Sequence, residues 1–138
     1  MKNEELTLDS TQNVASTGTF ILVLKKNDQI VHENSDFNLI RLLPFTVNAV
    51  ENGFNWITIT REEQQPLEAG EKIIGVDDYF SEIHMASHGM GMGHVKAHQG
   101  TINFIEASAE KVKGHYELHY VSREGENFTA TGEFDVEV

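Results

Sequence analysis

The chain reads as an all-β protein, an antiparallel β-sandwich or partly closed β-barrel of about 8–9 strands. Three observations carry that reading. Apolar and polar residues alternate with period two along most of the length, as in Val112-Lys113-Gly114-His115-Tyr116-Glu117-Leu118-His119-Tyr120. Turn-forming clusters recur at short intervals: Lys26-Asn27-Asp28, Asn34-Ser35-Asp36, Asn52-Gly53, Pro66 to Gly70, and Arg123-Glu124-Gly125. At 138 residues the sequence is also long enough to bury one core as a single domain spanning 1–138, with no internal repeat, linker or Cys-based staple.

In chain order, residues 1 to about 16 are polar and read as a tail or an edge strand. The predicted strands are then Gly18 to Lys25, Gln29 to Glu33, Phe37 to Leu43, Phe45 to Val50, Phe54 to Thr60, Lys72 to Val76, Thr101 to Ala107, Val112 to Ser122 and Phe128 to Val138. Two hairpins can be predicted to the level of register. Asn52-Gly53 is the preferred pair for a two-residue type I′ loop, which would pair Glu51 with Phe54, Ala49 with Trp56 and Val47 with Thr58. The inward face would then be Val47, Ala49, Phe54 and Trp56.

The closing hairpin turns through Arg123-Glu124-Gly125, with Gly125 left-handed, and sets Tyr120 against Phe128 and Leu118 against Ala130. Counting outward, Tyr116 covers Gly132 and Phe134 covers Gly114, each ring filling the space over a glycine. On the other face Lys111 meets Glu137, Lys113 meets Asp135 and His115 meets Glu133. A slip of one residue would destroy both patterns, so the register is strongly specified.

Composition narrows the function classes. Twenty-two acidic against ten basic residues give a net charge of −12, which excludes nucleic acid and anionic membrane as partners, since both need Lys and Arg to neutralise phosphate. A charged partner would be basic. Seven histidines stand outside that count, so acidification below about pH 6 would remove much of the negative charge. With no cysteine, no disulfide framework and no thiolate metal site is available. The sequence has no apolar run of signal-peptide or membrane-spanning kind, which makes the cytoplasm the expected location.

Chemistry concentrates in one stretch, His84 to His98, which holds four of the seven histidines and three of the four methionines, with Gly89, Gly91 and Gly93 alternating through it. His84 with His88 and His94 with His98 have the i, i+4 spacing that on a helix would clamp an ion. Four imidazoles would suit Zn; two with Met90 and Met92 would suit Cu(I). Against a helix stand the alternating glycines. As a surface loop or hairpin tip, the segment would instead offer Met85, Met90, Met92 and His94 as an adaptable contact. Elsewhere the signals are plain. His115 and His119 lie about 13 Å apart on a strand and cannot share one ion. Asp77-Asp78 with Glu82 reads as a solvated acidic turn lacking the EF-hand spacing. Ser87-His88 and Ser122 with His119 are adjacencies without a triad, and no nucleophile elbow, P-loop or dinucleotide fingerprint occurs. Trp56, Tyr79, Phe80, Phe104, Tyr116 and Tyr120 are core candidates, or the lining of a barrel interior.

The last third, from Gly100-Thr101-Ile102-Asn103-Phe104 through Val112-Lys113-Gly114-His115-Tyr116 to Phe128-Thr129-Ala130-Thr131-Gly132-Glu133-Phe134, resembles the C-terminal meander of uncharacterised bacterial β-sandwich lipoproteins and calycin-like domains. The resemblance implies an antiparallel sandwich or barrel with a ligand-accepting interior and carries over no functional residue. The expected function is non-catalytic binding of a protein partner or small apolar ligand through the 84–98 loop, with no cofactor. Two alternatives are a Cu- or Zn-binding protein using His84, His88, Met90, Met92, His94 and His98, and an acidic inhibitor or immunity-type protein that covers a basic site on its target.

Overall fold

A computed structural model describes residues 13–42, 46–51, 55–74, 80–87 and 93–138; for some strand residues, His84 and His94 among them, only the backbone is described. Twelve strands are assigned among these residues: β1 Asn13–Phe20, β2 Leu22–Lys26, β3 Gln29–Asn34, β4 Asn38–Leu42, β5 Thr46–Glu51, β6 Asn55–Arg61, β7 Gly70–Ile74, β8 Phe80–Ser87, β9 Gly93–Lys96, β10 Gln99–Ala107, β11 Lys111–Val121 and β12 Asn127–Glu137. All pairings are antiparallel, and the sheet is strongly curled, so the all-β, barrel-like prediction holds. The paired order runs β7-β10-β11-β12-β1-β4-β5-β6-β8-β9, with β2 and β3 continuing beside β12.

Two strands turn the corners between the halves of this sheet. Residues 13–16 of β1 pair with β4, whereas 17–20 pair with β12. At the other corner the Ala97 N–H donates to the Ile83 carbonyl of β8 at 2.9 Å, and the next N–H, of His98, donates to the His119 carbonyl of β11 at 3.0 Å. Each corner strand carries a glycine at positive φ just beyond the switch, Gly18 at 123° and Gly100 at 138°. A Cβ there would lie 1.9 Å from the Asp135 carbonyl oxygen and 2.2 Å from that of Glu117. Only glycine lets the chain bend this sharply against a neighbouring backbone. The circuit β1-β4-β5-β6-β8-β9/β10-β11-β12 therefore returns to its own start.

Within it, one sheet comprises the start of β1 with β4, β5, β6, β8 and β9; the other comprises β7, β10, β11, β12, the end of β1, β2 and β3. Their inner faces form one core. From the first come Leu39, Ala49, Ile57 and Met85 in one cross-strand row and Val47, Ile59 and Ile83 in the next. The second contributes Phe20, Phe134, Gly114 and Phe104 in register, then Tyr116 and Ile102, then Leu24, Ala130 and Leu118. Phe20, Tyr116 and Phe134 pack with centroids 5.5 to 6.3 Å apart.

The closing hairpin has the predicted register throughout, from Lys111 opposite Glu137 to Tyr120 opposite Phe128, and Gly125 is left-handed at 82°. Both glycines are covered as expected. A Cβ on Gly114 would sit 3.1 Å from the Phe134 ring, and one on Gly132 would sit 2.8 Å from the Tyr116 hydroxyl. Ile21, between β1 and β2, explains why: its carbonyl accepts a 2.8 Å bond from Tyr116 Oη, and a Cβ on Gly132 would come within 1.7 Å of it. The outer-face charges differ in detail, since Lys111 reaches diagonally to Asp135 at 3.9 Å and His115 Nε2 lies 3.4 Å from Asn103 Nδ2.

The first hairpin corrects its prediction by one residue. Glu51 faces Asn55, Val50 faces Trp56, Ala49 faces Ile57 and Val47 faces Ile59. The inward face is Val47, Ala49, Ile57 and Ile59, all at most 1 % exposed, while Trp56 alternates onto the outer face. The physical reason is burial. Two β-branched residues enter the core where the turn rule alone would have left Ile57 and Ile59 outside. The connecting residues 52–54, on which the Asn52-Gly53 turn falls, lie outside the described residues, as do Asp77, Asp78 and Tyr79.

Candidate functional site

The His/Met segment begins in β8 and leaves through β9, two strands absent from those the alternation predicts. β8 and β9 pair His84 with Lys96, Met85 with Val95, Ala86 with His94 and Ser87 with Gly93. His84 and His94 therefore stand on strands and not on helices, so the i, i+4 spacing does not by itself put their partners on one helical face. His98 follows β9 with an exposed side chain, its backbone tied to His119. His88, Met90 and Met92 fall at 88–92, outside the described residues. Among the described residues no group of three or more His, Asp or Glu is placed to hold a metal ion.

Met85 is also corrected. It is 2 % exposed, in the row with Leu39, Ala49 and Ile57, and serves the core rather than a surface loop. The alternation that sends Met85 and Val95 inward assigns the neighbouring register positions, His84 and His94, to the other side of the sheet. There they share cross-strand rows with Thr58 and Lys96, and with Trp56 and Ala86.

This outer face of the β4–β9 sheet is unlike the rest of the surface. Ile40, Asn48, Val50, Trp56, Thr58 and Thr60 are half-buried, and Thr46 is 2 % exposed. The Thr58 hydroxyl donates to Asn48 Oδ1 at 2.8 Å, and the Thr46 and Thr60 hydroxyls lie 3.2 Å apart. Among its described side chains only Lys96 is charged. A face of hydroxyl, amide, branched apolar and indole groups makes contacts without desolvating ions, which is the chemistry of an interface centre.

The outer face of the β10–β12 sheet carries His115 and His119. His119 Nε2 lies 3.0 Å from Glu117 Oε2, and its Nδ1 lies 3.3 Å from the Thr129 hydroxyl. Carboxylate, imidazole and hydroxyl in series are the connectivity of a nucleophilic triad. Catalysis also needs donors for a developing oxyanion, and Thr129 sits mid-strand, paired on both sides by β11 and β2, where the backbone N–H groups are committed to the ladder. The beds of this face are shallow clefts of about 320 Å³ by Thr101, Glu117 and His119, and about 310 Å³ by Ile105, Lys113 and Glu133.

Two features escaped sequence reasoning. Arg41 is wholly buried in line with Val47, its Nε donating to the Thr46 carbonyl at 2.9 Å, and burial lowers its pKa to about 10. The alternation Leu39-Ile40-Arg41 already put it on the inward face; its charge argued the other way. His32 Nε2 of β3 lies 2.8 Å from Glu51 Oε1 of β5, a hydrogen-bond contact between strands of different sheets that spacing cannot reveal.

No protein-family model, curated protein or solved structure matches this chain. No helix among the described residues is long and apolar enough to cross a membrane.

Proposed function

We propose that this chain is a non-catalytic binding protein whose contact surface for a protein partner is the outer face of the β4–β9 sheet, continued by the β8–β9 hairpin that carries residues 84–98. The observation that supports it is the uncharged, half-buried patch around Trp56 in a chain of net charge −12. Elsewhere the acidic surface keeps the protein dispersed; here hydroxyl, amide and indole groups are offered without that repulsion. Met90 and Met92, in the segment between β8 and β9, are the adaptable apolar side chains this reading adds to the contact, and no cofactor takes part.

The chain has one tryptophan, so its emission reports on this face directly. A partner isolated with the protein should shift Trp56 emission to shorter wavelength on binding and lose about tenfold or more in affinity for Trp56→Lys, a typical aromatic anchor effect. Lys111→Glu, on the other sheet, should leave binding unchanged. A complex that tolerates Trp56→Lys and leaves the emission unmoved would overturn the reading. Stoichiometric retention of Zn²⁺ or Cu⁺ by the wild type, lost with His84→Ala and His94→Ala, would replace it by the metal-binding one.

A further inference from the structure

A second surface lies at the far side of the other sheet. β3 pairs only with β2 among the described residues, so alternate peptide groups of Gln29–Asn34 face away from any partner strand. Ile30 is 54 % exposed and Val31 37 %, apolar side chains left in water on an open edge. The register against β2 shifts between Leu24 and Lys25, which makes Val31 the bulged residue. Asp28, Glu33 and Asp36, all exposed, punctuate this edge, and beyond its end an open cleft of about 330 Å³ is lined by Ile21, Leu22, Val23, Glu33, Asn34 and Ser35.

We infer that β3 is a strand-addition site for an extended, basic segment of another protein, one with Lys or Arg on either side of a branched apolar residue. Main-chain bonding along an edge gives affinity to any strand; the side chains choose which. The three acids along the edge would face the incoming strand's cations. A second copy of this chain is disfavoured as occupant, because two bodies of charge −12 would bring like acids together along the seam. The bulge at Val31 further guards against regular self-pairing. This surface and the Trp56 face belong to different sheets, and each stands or falls without the other.

The test uses the full chain and a blocked, fluorescein-labelled peptide of strand length that alternates Lys and Val, followed by anisotropy and by amide hydrogen exchange. Expected are binding that weakens steeply with added salt and exchange that slows at 29–34. Glu33→Lys and Ile30→Lys, both exposed and therefore compatible with folding, should each weaken binding about tenfold. A peptide alternating Glu and Val, and the Lys/Val peptide methylated at alternate backbone nitrogens, should not bind. The inference is overturned by failure of the Lys/Val peptide to bind, by protection confined to other strands, by unchanged affinity in Glu33→Lys, or by a dimer of the chain alone that Ile30→Lys disperses.

Discussion

The two sheets solve the same packing problem with different materials. Inside the β10–β12 sheet the core is aromatic and fitted to bare glycines, Phe134 against Gly114 and Tyr116 against Gly132, and its outer face is laced with charge. Inside the β4–β9 sheet the core is aliphatic around one buried guanidinium, and among the described side chains of the outer face only Lys96 is charged. The first arrangement is specified by shape and fixes a backbone. The second is specified by burial alone, which leaves its outer face free to carry something other than stability.

The sharpest way to break that contrast is Gly132→Val. A β-carbon would meet the Ile21 carbonyl at 1.7 Å and displace the Tyr116 hydroxyl, so a loss of about 3 kcal/mol or more in urea unfolding is expected. The aliphatic sheet answers more softly. Met85→Ala should cost about 2–4 kcal/mol by leaving a cavity, and Met85→Leu less than about 1.5 kcal/mol. A Met85→Ala protein of unchanged stability would return that residue to the surface.

Alkaline titration separates the sheets by sign. Burial raises the Tyr116 and Tyr120 hydroxyls above their ordinary value of 10.0, with Tyr120 adding to the effect on Tyr116, whereas burial lowers Arg41 from its ordinary value to about 10. Above pH 10 the unfolded chain releases tyrosine protons that the fold keeps, so their stabilisation, complete below pH 10, is lost as pH rises, by about 1.4 kcal/mol per pH unit for each hydroxyl. Arg41 works oppositely, because above pH 10 the unfolded chain holds the proton more tightly, and stability rises. Two groups outweigh one. Net stability should fall above pH 10, less steeply in Tyr120→Phe and more steeply in Arg41→Met, as followed by urea midpoints.

The smallest effect tests the charged outer face. Lys111 lies 3.9 Å from Asp135, with both side chains about a third exposed or more; Lys111→Gln should change stability by less than about 0.5 kcal/mol. A larger loss would mean that this face, too, is structural.

Legibility followed the number of independent constraints on each segment. Between Lys111 and Glu137 two faces and a glycine turn agree on one register, and counting from the turn places every pair. In the β5–β6 hairpin only the turn speaks for a register, and the structure's one-residue shift replaces Phe54 and Trp56 on the inward face by Ile57 and Ile59. β8 and β9 are less legible because His84, Met85 and His94 also carry ligand atoms, while the strand signal there is only the alternation of Ile83, Met85 and Val95. Of the predicted contact and metal residues, Met85 belongs to the core, His84 and His94 lie on paired strands, and His98 is exposed beyond β9.

Local alternation, turn chemistry and charge were enough to determine an acidic, all-β chain and the pairing of its last two strands, because those depend on neighbours close in sequence. Tertiary structure alone decided which strands turn the corners, why Gly18 and Gly100 must lack side chains, that Arg41 lies inside, and that His32 meets Glu51. Each of these is a contact between segments distant in the chain, and its energy exists only once curvature has brought the two sheets face to face.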